Sequence, residues 1–378
     1  MSKNQLTLGS LFDGIGGWLA SATDYGIKPL WSSEIARFPL AVTHQRFPDV
    51  EQIGDIRNLD GGVIPPVDII CMGSPCQGLS LAGKRGGLED DRSGLFREAT
   101  RIIREMRQAT DGKYPRFVVW ENVPGAFSSN KGMDFRAVLE EIGQTEIPMP
   151  PNGKWANAGV AELPECEIAW RVLDAQYWGV PQRRRRVFVV GHSDNRTDLT
   201  AKVLFEPESL CGDIAAGKEQ EQETSERVGE SSESTYFRRG GNYKYHKDTR
   251  ASTLRNTASP DYFDLVLASG KQFSGDSFVV NGRQNPVVSK NRAVTLDTDG
   301  QTNTVCYIEK TNTQCCIRRL TPLECERLQG FPDNYTQIEW RGKPAEQCPD
   351  SLRYKAIGNS MAVPVMRWIG ESIKRMEK

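Results

Sequence analysis

From Gln5 to about Ser193, short apolar runs alternate with longer amphipathic ones, the pattern of a βαβ architecture built on a mainly parallel sheet. The runs predict strands at Leu6–Leu11, Pro29–Ser33, Val67–Met72, Arg116–Trp120, Ala169–Leu173 and Arg186–Val190. Helical spacing predicts helices at Gly17–Tyr25, Phe38–Arg46, Gly94–Arg107, Met133–Ile142, Pro322–Gln329 and Pro364–Met376; the third puts Leu95, Ile102 and Met106 on one face. After Ser193 the pattern breaks. Positions 206–233 hold nine acidic residues against two basic ones, with few large apolar side chains, and read as a solvated, flexible excursion. Arg238, Arg239, Lys244, Lys247, Arg250 and Arg255 follow, interleaved with Tyr236, Phe237, Tyr243 and Tyr245, a combination suited to contact with nucleic acid. From Phe263 to Ile317, short β-rich pieces such as Ser277–Val280 and Asn303–Ile308 are separated by Gly, Asn and Asp turns. The expected organisation is a doubly wound α/β domain at 1–193, a smaller irregular β-rich domain at 194–316, and a segment at 317–378 that returns to the first.

Composition narrows this picture. The chain has 378 residues, 48 basic against 49 acidic, for a net charge of −1, so any polyanion has to be held by local patches rather than by a uniformly basic surface. No stretch has the length and apolarity of a membrane span or the layout of a signal peptide, and the expectation is a cytoplasmic protein. Nine cysteines without a CxxC pair and only three histidines argue against a zinc site and against a disulfide framework; no metal is expected.

The candidate chemistry lies at strand ends. The first strand runs into Phe12-Asp13-Gly14-Ile15-Gly16-Gly17 and a helix, which is either a tight turn or a loop admitting a nucleotide-type ligand to a helix N-terminus. Glu34 ends the next strand, about 20 residues on, where a carboxylate can bind ribose hydroxyls, and Asp55 is placed to accept from an adenine amino group. Cys76, in Gly73-Ser74-Pro75-Cys76-Gln77-Gly78, is a candidate nucleophile on a stiffened loop, whereas Cys71, Cys166 and Cys325 read as small buried apolar residues. Glu121, in Trp120-Glu121-Asn122-Val123-Pro124, comes to the same sheet edge; shielded by Trp120 and Val123, it suits a proton donor. In Gln182-Arg183-Arg184-Arg185-Arg186, strand alternation sends Arg184 and Arg186 one way and Arg183 and Arg185 the other, and one pair can face the site.

Together these blocks resemble the C5-cytosine-specific DNA methyltransferases. FDGIGG resembles that family's cofactor loop, GSPCQGLS its nucleophile loop, WENVPG its acid motif and VPQRRRRVFVVG its arginine strand; RRLTPLECERLQGFPD and YKAIGNSMAVPV resemble the motifs that follow its recognition domain. The resemblance implies a Rossmann-like methyltransferase fold and transfer of a methyl group from S-adenosyl-L-methionine to C5 of a flipped cytosine in duplex DNA, within a short specific sequence. It implies Cys76 as nucleophile, Glu121 as the acid at cytosine N3, and Arg184 and Arg186 as the arginines near base and nucleophile. Phe12, Gly14, Gly16, Gly17, Glu34, Asp55, Asn359 and Ser360 would contact the cofactor, with Gln182 and Arg318 in support. Gln77, Arg238, Arg239, Lys244, Thr253 and Arg255 would contact DNA. The family's Thr-Leu pair falls at Thr253-Leu254 or Thr295-Leu296, the first favoured by its basic flank. The sequence departs from the pattern in its extra Arg183 and Arg185 and in a Pro- and Gly-rich insertion at 143–167.

Cytosine methylation of RNA and a catalytically silent DNA-binding relative are the competing readings; the basic, aromatic insert favours DNA, and intact Cys76, Glu121 and Arg186 favour catalysis. A nicotinamide dehydrogenase is excluded because the glycine pattern is not GxGxxG. A monomer in a prokaryotic or phage-encoded setting, such as a restriction-modification system, is the expectation.

Overall fold

The computed structural model describes residues 5–74, 93–193, 199–205 and 321–377, together with the backbone of seven strands between 232 and 319. The chain divides into two compact units: Met1–Asp174 with Arg185–Cys211 and Val363–Lys378, and Ala175–Arg184 with Gly212–Ala362.

The first unit is built on an eight-stranded sheet. Strands β1 (Thr7–Leu11), β2 (Lys28–Ser33), β3 (Glu51–Gln52), β4 (Ile69–Met72) and β5 (Phe117–Asn122) run parallel in the order β3-β2-β1-β4-β5. Then β8 (Arg185–His192), β7 (Glu167–Asp174) and β6 (Ala158–Glu162) continue the sheet antiparallel. This is the expected α/β class with a mainly parallel sheet. Near-continuous apolar strands such as Ile69–Met72 and Phe117–Trp120 are buried throughout, as a sheet covered on both faces requires. Helix α1 (Gly17–Asp24) packs against the C-terminal helix α8 (Val363–Met376), and α5 (Leu199–Phe205) packs against α8 and β7. Between them come α2 (Arg37–Arg46), α3 (Ser93–Ala109) and α4 (Met133–Gly143). Helix α3 buries Phe96, Ala99, Ile102, Ile103 and Met106, so the predicted face holds at Ile102 and Met106, while Leu95 is half-buried at its edge.

Two details position the sheet. Gly9 allows close packing across β1: a Cβ there would lie 2.2 Å from Trp31, whose ring is fully buried and whose indole Nε1 donates to Pro65 O at 2.8 Å. The 143–167 insertion is not merely irregular. It supplies the edge strand β6 and Trp155, which packs edge-on against Phe135 and Trp170. Trp155 Nε1 donates to Gly132 O at 2.8 Å, so the insertion closes an aromatic cluster over α4.

The second unit contains a seven-stranded antiparallel sheet, order β10-β9-β11-β15-β14-β12-β13. Its strands are β9 (Ser232–Arg238), β10 (Tyr245–Lys247), β11 (Leu265–Ala268), β12 (Ser277–Val280), β13 (Val288–Lys290), β14 (Val305–Lys310) and β15 (Thr313–Arg319). Its helices are α6 (Pro322–Gln329) and α7 (Asp350–Asn359). Helix α6 starts with a capping box between Thr321 and Glu324 and stops at Gly330 in the left-handed region, φ +78°. Fully buried Glu326 accepts from Thr336 N at 2.8 Å and from Arg353 Nη2 at 3.2 Å, pinning α6 to α7 with a hydrogen-bonded ion pair. Among the described residues, no helix is long and apolar enough to cross a membrane and no group of three or more His, Cys, Asp or Glu is arranged to hold a metal ion.

Candidate active site

Strand order locates the site. The chain leaves β1 to build β2 and β3 on one side, then returns to place β4 on the other, so β1 and β4 flank the switch point of an open α/β sheet, where ligands bind at the strands' C-terminal ends. The loop after β1 and the loop after β4 both open there. Strand β8, antiparallel to β5, starts at that same edge, because Asn122 pairs with Val187.

The loop after β1 is folded for close approach. Phe12 and Gly14 have φ +57° and +60°, Gly16 caps α1 at φ +79° with no side-chain cap, and Gly17 is the first helical residue. Asp13 N donates to Ser33 O at 3.1 Å, tying the loop to β2. Glu34 follows: its Oε2 accepts from Gly14 N at 2.9 Å, while Oε1 accepts from Ile35 N and Ala36 N, each at 2.8 Å. The fit to an amino-acid-bearing nucleoside rests on these observations. A Cβ at Gly14 would meet nothing within 4 Å among the described residues; α1 has no side-chain cap, so its N-terminal amides could receive a carboxylate, and Glu34 brings an acceptor beside them. Asp55 is engaged differently from the expectation. Its Oδ1 accepts from Arg57 N at 3.0 Å, and both oxygens accept from the Arg57 guanidinium, which holds its carboxyl below the usual range. A carboxylate offers about four lone-pair sites, so an adenine amino group has to displace Arg57.

Asp13 escaped the sequence reading. It is buried; Oδ1 accepts from Ser10 Oγ at 2.6 Å and Oδ2 has no partner among the described residues. Burial pushes its carboxyl up to about 7, the Ser10 hydrogen bond opposing and the Glu34 charge adding. The signal was available: Ser10 and Asp13 stand three residues apart at the end of an apolar strand. Because the folded pKa exceeds the unfolded one, this stability is fully present below about pH 4 and is lost as pH rises to about 7, about 4 kcal/mol in all. Asp13→Asn, which has nothing to ionise, is therefore expected to gain on the wild type between pH 5 and pH 8. Thermal unfolding of both proteins at the two pH values checks this; a constant difference in Tm refutes it.

At the β4–β5 end, Ser74 Oγ accepts from Trp120 Nε1 at 3.0 Å and Ser74 O from Asn122 Nδ2 at 3.1 Å, both buried. The side chains on either side of Glu121 thus anchor the chain two residues before Cys76. Cys76 and Gln77 lie outside the described residues. Glu121 is buried and its Oε1 meets Arg186 Nε at 2.9 Å. Trp120 does not shield it: successive residues of β5 face opposite sides of the sheet, and Trp120 turns into the core between Phe96 and Phe135.

The arginine run divides. Strand β8 begins at Arg185, so alternation governs Arg185 and Arg186 but not Arg184, which belongs to the second unit. There Arg184 is buried and its Nη2 donates to Gly358 O at 3.1 Å and to Ser360 O. Gln182, also buried, donates to Leu328 O at 2.8 Å. Asn359 is exposed and Ser360 buried at the end of α7. Cys71 and Cys325 are buried, as expected, and Cys166 is half-buried. Arg238 lies on β9 and Arg318 on β15, where the backbone alone is described; Arg239, Lys244, Thr253, Arg255 and Thr295-Leu296 lie outside the described residues, as does most of the acidic stretch at 206–233.

Residues 6–375 match the family described as C-5 cytosine-specific DNA methylase. A protein of Escherichia phage P1 named DNA N-6-adenine-methyltransferase is 34% identical over 98% of this chain, and the match spans 61% of that protein's length. The type II methyltransferase M.HpaII of Haemophilus parainfluenzae is 28% identical over 98% of this chain and 90% of its own. Among solved structures, the methyltransferase EhMeth of Entamoeba histolytica shares the fold with a TM-score of 0.56 at 14% identity, covering 100% of both chains.

Proposed function

The chain belongs to the C-5 cytosine-specific DNA methylase family, whose members methylate cytosine in DNA with S-adenosylmethionine as donor, and from that premise we propose that it methylates C5 of a cytosine flipped out of duplex DNA, within a short specific sequence, through a covalent adduct. The observation that carries this reading is the Glu121–Arg186 pair, at the sheet edge onto which the β1 and β4 loops also open.

Cytosine C5 is a poor nucleophile until the ring is converted to an enamine. In the proposed mechanism, the Cys76 thiolate adds to C6 while a proton held by Glu121 neutralises N3, and the freed electron pair makes C5 nucleophilic. Arg186 holds the Glu121 carboxyl through the 2.9 Å contact. S-adenosylmethionine, when bound, supplies the electrophilic methyl group. The loop Phe12–Gly17 and Glu34 would hold it, with Asp55 contributing once Arg57 moves; Asn359 and Ser360 are assigned to it by the family resemblance. Loss of the C5 proton and expulsion of Cys76 then restore the aromatic ring. In a duplex, stacking blocks the ring face at C6 and C5 and base pairing occupies N3, so the base has to flip, at a cost of a few kcal/mol that contacts from the recognition domain offset. That domain is proposed at 194–316, with Gln77, Arg238, Arg239, Lys244, Thr253 and Arg255 meeting DNA. Relatives named type II methyltransferases and a phage-borne relative support a restriction-modification or mobile-element setting.

The name of the phage protein raises adenine N6 as a second target. An exocyclic amine needs no thiol adduct, so the product decides. Purified protein with methyl-labelled S-adenosylmethionine, offered duplex DNA and total RNA separately and digested to nucleosides, is expected to label 5-methyldeoxycytidine. Label in N6-methyldeoxyadenosine, or in RNA alone, overturns the proposal.

A further inference from the structure

Arg184 and Arg186 stand two residues apart in one motif, yet the structure gives them different partners. Arg186 faces a carboxylate, whereas Arg184 faces backbone carbonyls at the end of α7. We propose that Arg184, together with Gln329, is a positioning residue that clamps the Gly358–Asn359–Ser360 turn and so sets cofactor affinity, rather than a residue that touches the base.

A helix leaves its last four carbonyls without partners, and many helices close with a left-handed residue that satisfies some of them. Helix α7 does not: its cap Ser360 is extended, φ −72° and ψ 161°, and the chain leaves directly. Ser360 N donates back to Ala356 O at 3.2 Å and Ile357 O at 3.1 Å, while Ile357 O, Gly358 O and Ser360 O are met by side chains from outside the helix. Arg184 Nη2 donates to Gly358 O and Ser360 O, while Gln329 Nε2 donates to Ile357 O at 3.0 Å and Ser360 O at 3.2 Å. Both side chains thus converge on Ser360 O. A guanidinium at a helix C-terminus is also favoured by the helix dipole.

The clamp is itself oriented. Gln182 Nε2 donates to Gln329 Oε1 at 3.2 Å and to Leu328 O, which fixes the Gln329 amide with its nitrogen toward α7. Gln182 and Gln329 are fully buried and Arg184 is 3% exposed, so the relay Gln182–Gln329–Ser360 and the two bonds from Arg184 Nη2 work in a water-poor setting. Asn359, between the two clamped carbonyls, stays exposed. The device holds the backbone on both sides of Asn359 and leaves its side chain available.

The inference rests on the proposed role of Asn359 and Ser360 in cofactor binding. The test compares Arg184→Lys, which keeps the charge but is shorter and loses the planar Nη2 donor that bridges Gly358 O and Ser360 O, with Gln329→Met, which keeps the volume but loses the amide. Cofactor Kd by calorimetry, KM and kcat at saturating DNA, DNA Kd, Tm, and amide exchange at residues 356–361 are measured for each. Both variants are expected to raise cofactor Kd and KM about tenfold and to speed exchange at Ser360, with kcat at saturating cofactor and DNA Kd within about threefold of wild type. A fall in kcat with unchanged cofactor Kd places Arg184 at the base and overturns the proposal. So does parallel loss of cofactor and DNA binding with a lowered Tm, which marks a merely structural role, and so does unchanged exchange. If Asn359→Ala leaves cofactor Kd unchanged while Arg184→Lys still speeds exchange at Ser360, the clamp stands and the cofactor role assigned to the turn fails.

Discussion

Cys76→Ser is expected to lower methyl transfer by about 10⁴-fold or more while leaving DNA affinity within about threefold of wild type. The difference is one of nucleophilicity. A thiol with a pKa near 8.5 supplies thiolate at neutral pH, and a helix end or cation lowers that pKa further; a serine hydroxyl supplies almost no alkoxide and has no partnered base in this motif. Without addition at C6 the ring stays aromatic, C5 stays unreactive, and Glu121 has no developing charge to neutralise. Transfer of labelled methyl to a duplex and a gel-shift titration read the two effects separately. A duplex carrying 5-fluorocytosine sharpens the test: fluorine cannot leave as the proton does, so the wild type is expected to accumulate a denaturant-stable adduct and Cys76→Ser none. Serine activity within tenfold of wild type removes Cys76 from the mechanism.

The parts of the fold legible in the sequence were those with strong periodicity. Met133–Ile142 and Pro322–Gln329 fall within a residue of α4 and α6, and Ser277–Val280 coincides with β12, because apolar spacing or an N-terminal Thr-Pro with Glu three residues on marks each. Strand β6 was not legible. Its residues are Ala158, Gly159, Val160, Ala161 and Glu162, alternating exposed and half-buried, and it gains its strand character from pairing with β7. Helix α7 was missed for a similar reason: its polar sequence is held by buried Arg353 against Glu326, a tertiary ion pair that local pattern does not reveal.

The site divided along the same line. The glycines of the first loop, Glu34 and Glu121 were legible because a strand end fixes where a residue goes even when its partners are unknown. Partners were not legible. Arg57 on Asp55, Ser10 on Asp13 and the α7 carbonyls on Arg184 all arise from loop conformation or from residues well over a hundred positions away. The expected shielding of Glu121 by Trp120 failed on the alternation that defines a strand.

Glu121→Gln is the second large effect, with kcat expected to fall about 10²- to 10⁴-fold and DNA affinity to change little. The substitution isolates the proton. Glutamine keeps the length of the side chain, and its amide oxygen still accepts from Arg186 Nε, so the 2.9 Å contact survives and Arg186 is not left as an uncompensated, half-buried charge. What glutamine lacks is an acidic hydrogen for N3, so the step lost is the neutralisation that makes thiolate addition favourable. Glu121→Asp separates chemistry from reach: it keeps the acid but withdraws it by one methylene, which strains the Arg186 contact and the approach to N3 together. If Glu121→Gln stays within tenfold of wild type in kcat, N3 is neutralised by another group and the Glu121–Arg186 pair serves only to hold β5 and β8 at the sheet edge. If Glu121→Gln and Glu121→Asp both fall while the fluorinated duplex still traps Cys76, Glu121 acts after addition rather than during it, and the order of events proposed for this site is wrong.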